Sequence, residues 1–281
     1  MKTWKKIVLG VSLISLFLGG GLVAWGYSQG GLTDLQNQTK SEQDYVKKEV
    51  KDFNKIDIKS SSYNVLIKNG DVDKATLSYY QKTKNPIDTS VKDGQLTIND
   101  SNSELDSTSN KHINFFGLKD LVRLSTLNEE VRNKTIVITL PKKQTIDFLK
   151  VDLATGNLDL SNSTIKQADI NLNVGDLTFT KMIVSNLKAN LDVGSVDSNH
   201  TLFTNSDLSI AMGDYSGDNL IFNGHNKLDV TSGDIEIALK DYTLNVQADS
   251  HSGEVDITNN LKISKDNTLT ITSDLGDITV E

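Results

Sequence analysis

Between Val151 and Val280 apolar and polar residues alternate in short runs, and each run is interrupted by a glycine. Positions five and three residues before each glycine, and two residues after it, are mostly apolar. The glycines lie 19 to 23 residues apart and are Gly156, Gly175, Gly194, Gly213, Gly233, Gly253 and Gly276. Successive side chains of a strand face opposite ways, so each repeat predicts a pair of short strands joined at the glycine.

A unit of about 20 residues cannot bury its apolar face alone, and stacking on neighbouring units closes a continuous core. The sequence therefore predicts an all-β fold, a β-solenoid of about seven coils of 19–20 residues. Leu172, Leu191 and Ile210 are expected at equivalent buried positions of successive coils. The residues between the apolar positions are expected to face water, namely Asp152, Asn171, Asn173, Asp192, Ser209 and Asp229.

The N-terminus has the pattern of a membrane anchor. Lys2, Lys5 and Lys6 precede an uncharged, mostly apolar run from Ile7 to Tyr27, long enough as a helix to cross a bilayer core of about 30 Å. Basic residues before such a run keep the N-terminus in the cytoplasm and send the rest of the chain outside. We expect a single-pass transmembrane helix with an extracytoplasmic C-terminal domain, or a secreted protein if the segment is a cleaved signal.

The remaining chain divides into three parts. Residues 28–51 are polar and predict a stalk, partly helical from Glu42 to Val50. Residues 52–140 alternate irregularly and predict an N-terminal β portion, interrupted by an insertion at 101–134 whose apolar spacing suits a helix. Residues 141–281 hold the repeats. The chain has no cysteine, which excludes disulfides, thiolate nucleophiles and sulfur metal sites. Its formal charge of −8 makes nucleic acid an unexpected partner.

Several strand motifs resemble a known family. They are Phe53-x-x-Ile56-x-Ile58, Val65-x-Ile67, the strand end Val137 to Pro141, and the repeated turns of glycine, Asp or Asn and an apolar residue. This order is similar to the bacterial β-strand-repeat family of unknown function whose members are labelled candidate adhesins. The resemblance implies a location at the envelope of a Gram-positive bacterium and a link to Lia-type cell-envelope stress systems. It implies no catalytic residues.

The sequence favours a protein without catalysis and without a cofactor. The histidines His112, His200, His225 and His251 are scattered and have no metal-ligand spacing. No serine lies in a nucleophile elbow. A carbohydrate-active solenoid stays open as an alternative, because such enzymes use grouped carboxylates and the chain is rich in aspartate.

An acidic ladder follows the repeat glycines. Its residues are weak Ca²⁺ candidates, since stacked carboxylates repel and an oxygen-seeking cation would stabilise them. Ordinary turn chemistry is the competing interpretation. The candidates are Asp176, Asp214, Asp234, Glu254 and Asp277.

The insertion concentrates apolar residues that the repeat does not need. Phe115, Phe116 and Leu118 are candidate partner-binding residues, and the alternative is a cap across an end of the solenoid. We therefore expect a membrane-anchored cell-surface interaction or envelope-stress-associated module that binds a cell-envelope component or membrane protein. A passive structural spacer is the first alternative to this function.

Overall fold

The computed structural model describes residues 43–82, 86–100 and 134–281, and every helix or strand assigned there is a β-strand. The strands are β1 (Gln43–Glu49), β2 (Lys55–Ser60), β3 (Asn64–Gly70), β4 (Thr76–Lys82), β5 (Asp88–Lys92), β6 (Gln95–Asn99), β7 (Thr135–Pro141), β8 (Thr145–Ile146), β9 (Phe148–Leu153), β10 (Leu158–Ser161), β11 (Thr164–Ile165), β12 (Ala168–Val174) and β13 (Leu177–Thr180). They continue with β14 (Ile183–Ser185), β15 (Leu187–Val193), β16 (Val196–Asn199), β17 (Leu202–Thr204), β18 (Asp207–Met212), β19 (Tyr215–Asn223), β20 (His225–Ser232), β21 (Ile235–Leu239), β22 (Asn245–Ser250), β23 (Val255–Ile257), β24 (Thr268–Leu275) and β25 (Ile278–Val280).

The all-β solenoid is confirmed, but its repeating coil holds three strands rather than two. One coil is β12, β13 and β14, and β15 then begins the next coil directly on top of β12. Equivalent strands stack in parallel and form three sheets. Sheet 1 has the order β22-β24-β20-β18-β15-β12-β9-β2-β6-β5. Sheet 2 runs β1-β4-β7-β3-β10-β13-β16-β19-β21-β25-β23, and sheet 3 runs β19-β17-β14-β11-β8, with the long strand β19 passing through both.

The inward ladder has the predicted register. Leu172 pairs with Leu191, and Leu191 pairs with Ile210. All three side chains are at most 2% exposed. The period-two pattern around the glycines therefore identifies the core positions of sheet 1 correctly.

Two corners of the coil are formed by residues with positive φ angles. The repeat glycines form the corner between sheets 1 and 2. At the corner between sheets 2 and 3, four residues spaced by 19 adopt a left-handed conformation with φ between 51° and 56°, a region that asparagine tolerates better than most residues. These four residues are Asn162, Lys181, His200 and Asn219.

The coils are not stacked in chain order at either end, unlike the simple order that the repeat suggests. At the C-terminal end β24 lies between β20 and β22, and β25 lies between β21 and β23. The N-terminal end mirrors this arrangement, because β2 lies between β6 and β9 while β3 lies between β7 and β10. The N-terminal β portion thus shares its sheets with the repeats.

The helix expected from Glu42 to Val50 is wrong, because Gln43–Glu49 forms β1 at the edge of sheet 2. The reason is local packing. Val50 is buried and donates its N–H to the carbonyl of Ala75 at 2.8 Å, and the ring of Tyr45 lies 4.8 Å from that of Tyr80. Pairing with β4 satisfies the backbone of a segment that would otherwise have formed an exposed helix of few turns.

No helix in the described ranges is long and apolar enough to span a bilayer. The predicted anchor, Ile7 to Tyr27, and the insertion at 101–134 apart from its last residue lie outside those ranges.

Candidate functional site

The outer face of sheet 3 carries an apolar ladder. Ile183, Leu202 and Ile221 are paired in register on β14, β17 and β19 and point outward, and Ile183 is 48% exposed. Their chain neighbours Val184, Phe203 and Phe222 point inward and are buried. Stacking of the Phe203 and Phe222 rings, with centroids 5.8 Å apart, fixes the inner side of these short strands. The outward apolar positions are therefore held on a rigid support.

Basic residues line the corner beside this ladder. Lys143, Lys181 and His200 occupy equivalent places, since each precedes its outward sheet 3 position by two residues. Lys240 follows β21 at the same edge, and its N–H donates to the carbonyl of Leu220 at 2.8 Å. Because Lys181 and His200 are left-handed corner residues, their side chains project into solvent.

Some lysines of this region are neutralised and others are not. Lys142 is paired with Asp71 at 3.0 Å, and Lys166 with Asp147 at 2.7 Å. The hydrogen bond from Lys166 holds the pKa of Asp147 below its usual range. Within the described residues, Lys143, Lys181 and Lys240 have no carboxylate oxygen within 4.0 Å. Among the described residues, these three ammonium groups therefore have no ion-pair partner.

Two adjoining depressions of about 290 and 170 Å³ run along this corner and share Lys181 and Ile183. We call them together the corner groove. Among the described residues, their lining includes no carboxylate and no Phe, Tyr or Trp side chain. Its residues are Asn69, Lys142, Lys143, Gln144, Thr145, Asn162, Ser163, Thr164, Lys181, Met182, Ile183, His200, Thr201, Leu202, Asn219, Ile221 and Lys240.

The floor of the corner groove is preformed. Ser163 is 4% exposed, and its Oγ lies 2.9 Å from both Asn69 Oδ1 and the carbonyl oxygen of Ser161. Its backbone N–H also lies 3.3 Å from the sulfur of Met182. These contacts tie β3, β10 and the next coil together beneath the groove.

The acidic ladder lies at another corner, and hydrogen bonds account for it. Every one of these aspartates accepts, through a side-chain oxygen, the backbone N–H of the equivalent residue in the neighbouring coil, for example Asp176 from Ser195 at 3.0 Å and Asp214 from Asp234 at 3.0 Å. Asp234 accepts from Asp277 at 2.9 Å, and Asp277 from Glu254 at 2.8 Å. No group of three or more His, Cys, Asp or Glu residues in the described part is arranged to hold a metal ion. Asp at these positions has a structural role without any cation.

The other predicted site residues are dispersed or undescribed. Phe115, Phe116 and Leu118 lie outside the described residues. His200 contacts Asn199, and His225 contacts Thr268, so the two imidazoles lie at different corners.

A family model, Toastrack DUF4097, matches residues 53–281. The chain belongs to this family. The matched region contains every residue of the corner groove, which is therefore part of the Toastrack fold of this protein. No curated protein gave a match.

Several solved structures are similar to this Toastrack chain. One is a candidate adhesin from Bacteroides fragilis, with 14% identity, coverage of 85% of this chain and 97% of that chain, and a TM-score of 0.38. Another is a candidate cell-adhesion protein from Clostridium sporogenes, with 16% identity, coverage of 85% and 98%, and a TM-score of 0.29. A third is a candidate lipid-binding protein from Parabacteroides distasonis, with 12% identity, coverage of 84% and 96%, and a TM-score of 0.37.

Sequence reasoning missed the corner groove, although a signal for it exists. The pairs Ile183-Val184, Leu202-Phe203 and Ile221-Phe222 recur every 19 residues. Two adjacent apolar residues on a strand place one side chain inside and the other outside. Burial in the core explains why the inner residue of each pair is apolar, but it does not explain why the outer residue is apolar as well.

Proposed function

We propose that this Toastrack protein is a non-catalytic cell-surface binding module, anchored by Ile7 to Tyr27 and associated with the envelope stress response. It binds a component of the cell envelope through the corner groove. The observation that carries this proposal is that three lysines without an ion-pair partner among the described residues lie beside an outward apolar ladder, in a chain whose formal charge is −8. A groove with apolar walls and a few convergent polar groups is the usual form of a binding site.

The groove supports binding better than catalysis. Glycoside hydrolysis uses a pair of carboxyl groups flanking the scissile bond, and no carboxylate lines the corner groove. A passive spacer, the other alternative, has no need of an apolar ladder facing solvent.

Site-specific photo-crosslinking on intact cells of the source bacterium tests the proposal. The full chain carries a photoreactive residue at Leu202 in the groove, at Asn190 on the outer face of sheet 1, or at Phe116 in the insertion. External protease and a tag at Met1 establish the topology in the same cells, and we expect the tag to stay protected.

We expect envelope adducts from position 202 and none from position 190. Adducts from position 116 alone would move the binding surface to the insertion, where Phe115, Phe116 and Leu118 are the predicted contacts. Absence of adducts at all three positions would contradict a binding role and leave the spacer.

A further inference from the structure

We propose that the ligand of the corner groove is a single linear polyanion, in which negative charges alternate with uncharged carbon spacers and which lies parallel to the solenoid axis. This inference rests on the proposed function and adds the ligand class to it. The chemistry is that of a phosphodiester or polycarboxylate chain.

The spacing of the cations supports an extended ligand. Neighbouring strands lie about 4.8 Å apart, so the backbones of Lys143 and Lys181, two strands apart in sheet 3, are separated by about 10 Å. Lys240 lies three strands beyond Lys181, or about 14 Å further. The backbones of the three lysines are thus spread over about 24 Å along the solenoid axis rather than surrounding a single point. A small anion would contact only one of them.

The surface between the cations matches the spacers of such a chain. Ile183, Leu202 and Ile221 face the carbon atoms, while the hydroxyl of Thr164 and the amide of Asn162 offer hydrogen bonds to ether or hydroxyl oxygens. The two depressions adjoin along the solenoid axis, an arrangement that fits a linear polymer better than the flat surface of a bilayer.

Single-stranded nucleic acid is the polyanion that this groove fits worst. Its binding sites stack bases mainly on Phe, Tyr and Trp side chains, and none of these residues is among the described residues that line the groove. The outward positions of sheet 3 are aliphatic or threonine, because the phenylalanines of these strands, Phe203 and Phe222, point into the core.

Binding measurements on the full chain in zwitterionic nanodiscs test the inference. The probes are poly(glycerol phosphate), poly-glutamate, glycerol 3-phosphate as a monomer, single-stranded DNA, and vesicles containing anionic lipid. The groove variant combines Lys143→Glu, Lys181→Glu and Lys240→Glu. A control variant with the same change in charge combines Lys92→Glu, Lys188→Glu and Lys265→Glu, all exposed and outside the groove.

We expect one of the two polymers to bind at least tenfold more tightly than the monomer at equal charge concentration. The groove variant should weaken this binding at least tenfold, whereas the control variant should change it less than threefold. Affinity should fall steeply with added salt, since a polyanion releases counterions when several charges are neutralised together. The polymer that binds identifies phosphodiester or carboxylate chemistry.

Other outcomes overturn the inference. Equal weakening in both variants would show non-specific attraction, and preference for DNA or for anionic vesicles would show a different ligand class. Adducts at position 202 in cells without binding of either polymer would refute the ligand class and leave the proposed function standing. Polymer binding without cellular adducts would support the ligand class and refute the function.

Discussion

The change Gly194→Ala should destabilise the solenoid far more than a surface substitution. Gly194 has φ of 147°, a conformation that residues with a Cβ rarely adopt. A Cβ built on it would lie 2.0 Å from the carbonyl oxygen of Gly175 in the preceding coil, although real Cβ contacts are essentially never shorter than 3.0 Å. The two coils would have to separate by about 1 Å at this corner, or the backbone would have to rotate.

The structure gives the magnitude. Separation weakens two hydrogen bonds between these coils, from Gly175 N–H to Val193 O at 2.9 Å and from Ser195 N–H to Asp176 Oδ1 at 3.0 Å. At about 1 kcal/mol each they contribute about 2 kcal/mol. Backbone strain adds about 1–3 kcal/mol. The free energy of unfolding should fall by about 3–5 kcal/mol, which lowers Tm by roughly 6–20 °C in a domain of this size.

Thermal unfolding followed by circular dichroism measures the effect, with Gly94→Ala as the matched control. Gly94 also has a positive φ, of 73°, but it lies in the hairpin between β5 and β6, where an added Cβ would approach Asn54 Oδ1 only to 3.3 Å. Its replacement should cost about 1–2 kcal/mol. A Tm for Gly194→Ala within about 3 °C of the wild type, or no lower than that of Gly94→Ala, would refute the argument that coil contact requires the glycine.

Two further substitutions test the core and the outer face. Leu191→Asp places an unpaired charge between Leu172 and Ile210, so we expect loss of more than about 4 kcal/mol or failure to fold. Lys188→Asn on the outside of the same strand should be tolerated; equal yields and melting curves would contradict the register. Burial raises the pKa of Asp159, on the outer face of sheet 2, to about 6, so the folded state holds this proton more tightly than the unfolded state and loses stability as pH rises from about 4 to 6. Asp159→Asn should therefore stabilise the protein at pH 7.5 by about 1–2 kcal/mol, after allowance for partial exposure, and not at pH 4. Urea unfolding at both pH values, with the exposed Asp192→Asn as control, would count against this reasoning if the gain were the same at each pH.

The sheet 1 ladder could be predicted from the sequence because its strands are six to eight residues long. β12 and β15 each show three inward apolar residues separated by polar ones, which is enough alternation to identify a strand and its inner face. The third strand of each coil could not be found in this way. β11 has two residues and β14 has three, so neither is long enough for a repeated alternation to be recognised.

The corner groove was missed for a related reason. Sequence reasoning assigned the coil exterior to polar residues, which holds for the middle of the sheet 1 strands, where Asn190 Nδ2 donates to Asn171 Oδ1 at 3.0 Å, but not for their ends, where Val193 and Met212 are exposed. On sheet 3 the exterior position is apolar in three successive coils. Without knowledge of the third sheet, Ile183, Leu202 and Ile221 read as additional core residues. The acidic ladder was visible in the sequence, but its hydrogen bonds to the next coil depend on a register that the spacing alone does not reveal.

The order of the last coils follows from the sizes of their inward side chains. Two coils could stack on β20 and β21, the one that contains Gly253 (β22 and β23) and the one that contains Gly276 (β24 and β25). Gly233 is separated from Gly253 by 20 residues and from Gly276 by 43, and either glycine could lie in register with Gly233. Stacking β24 and β25 on β20 and β21 closes a loop about twice as long as stacking β22 and β23 there. The additional loss of chain entropy costs only about 0.6 kcal/mol. This arrangement places Leu269 and Ile271 against β20, where both are at most 1% exposed, and leaves the smaller Val246 and Ala248 at the open end, where they are only partly buried. With Leu269 and Ile271 rather than Val246 and Ala248 at the inner position, about four more side-chain carbon atoms are buried, at about 0.8 kcal/mol each. The net gain in free energy is smaller than this sum, because side chains in the outer coil are also partly buried. The gain from burial exceeds the entropic cost of the longer loop. This difference explains why β24 and β25 stack directly on β20 and β21, while β22 and β23 form the open end.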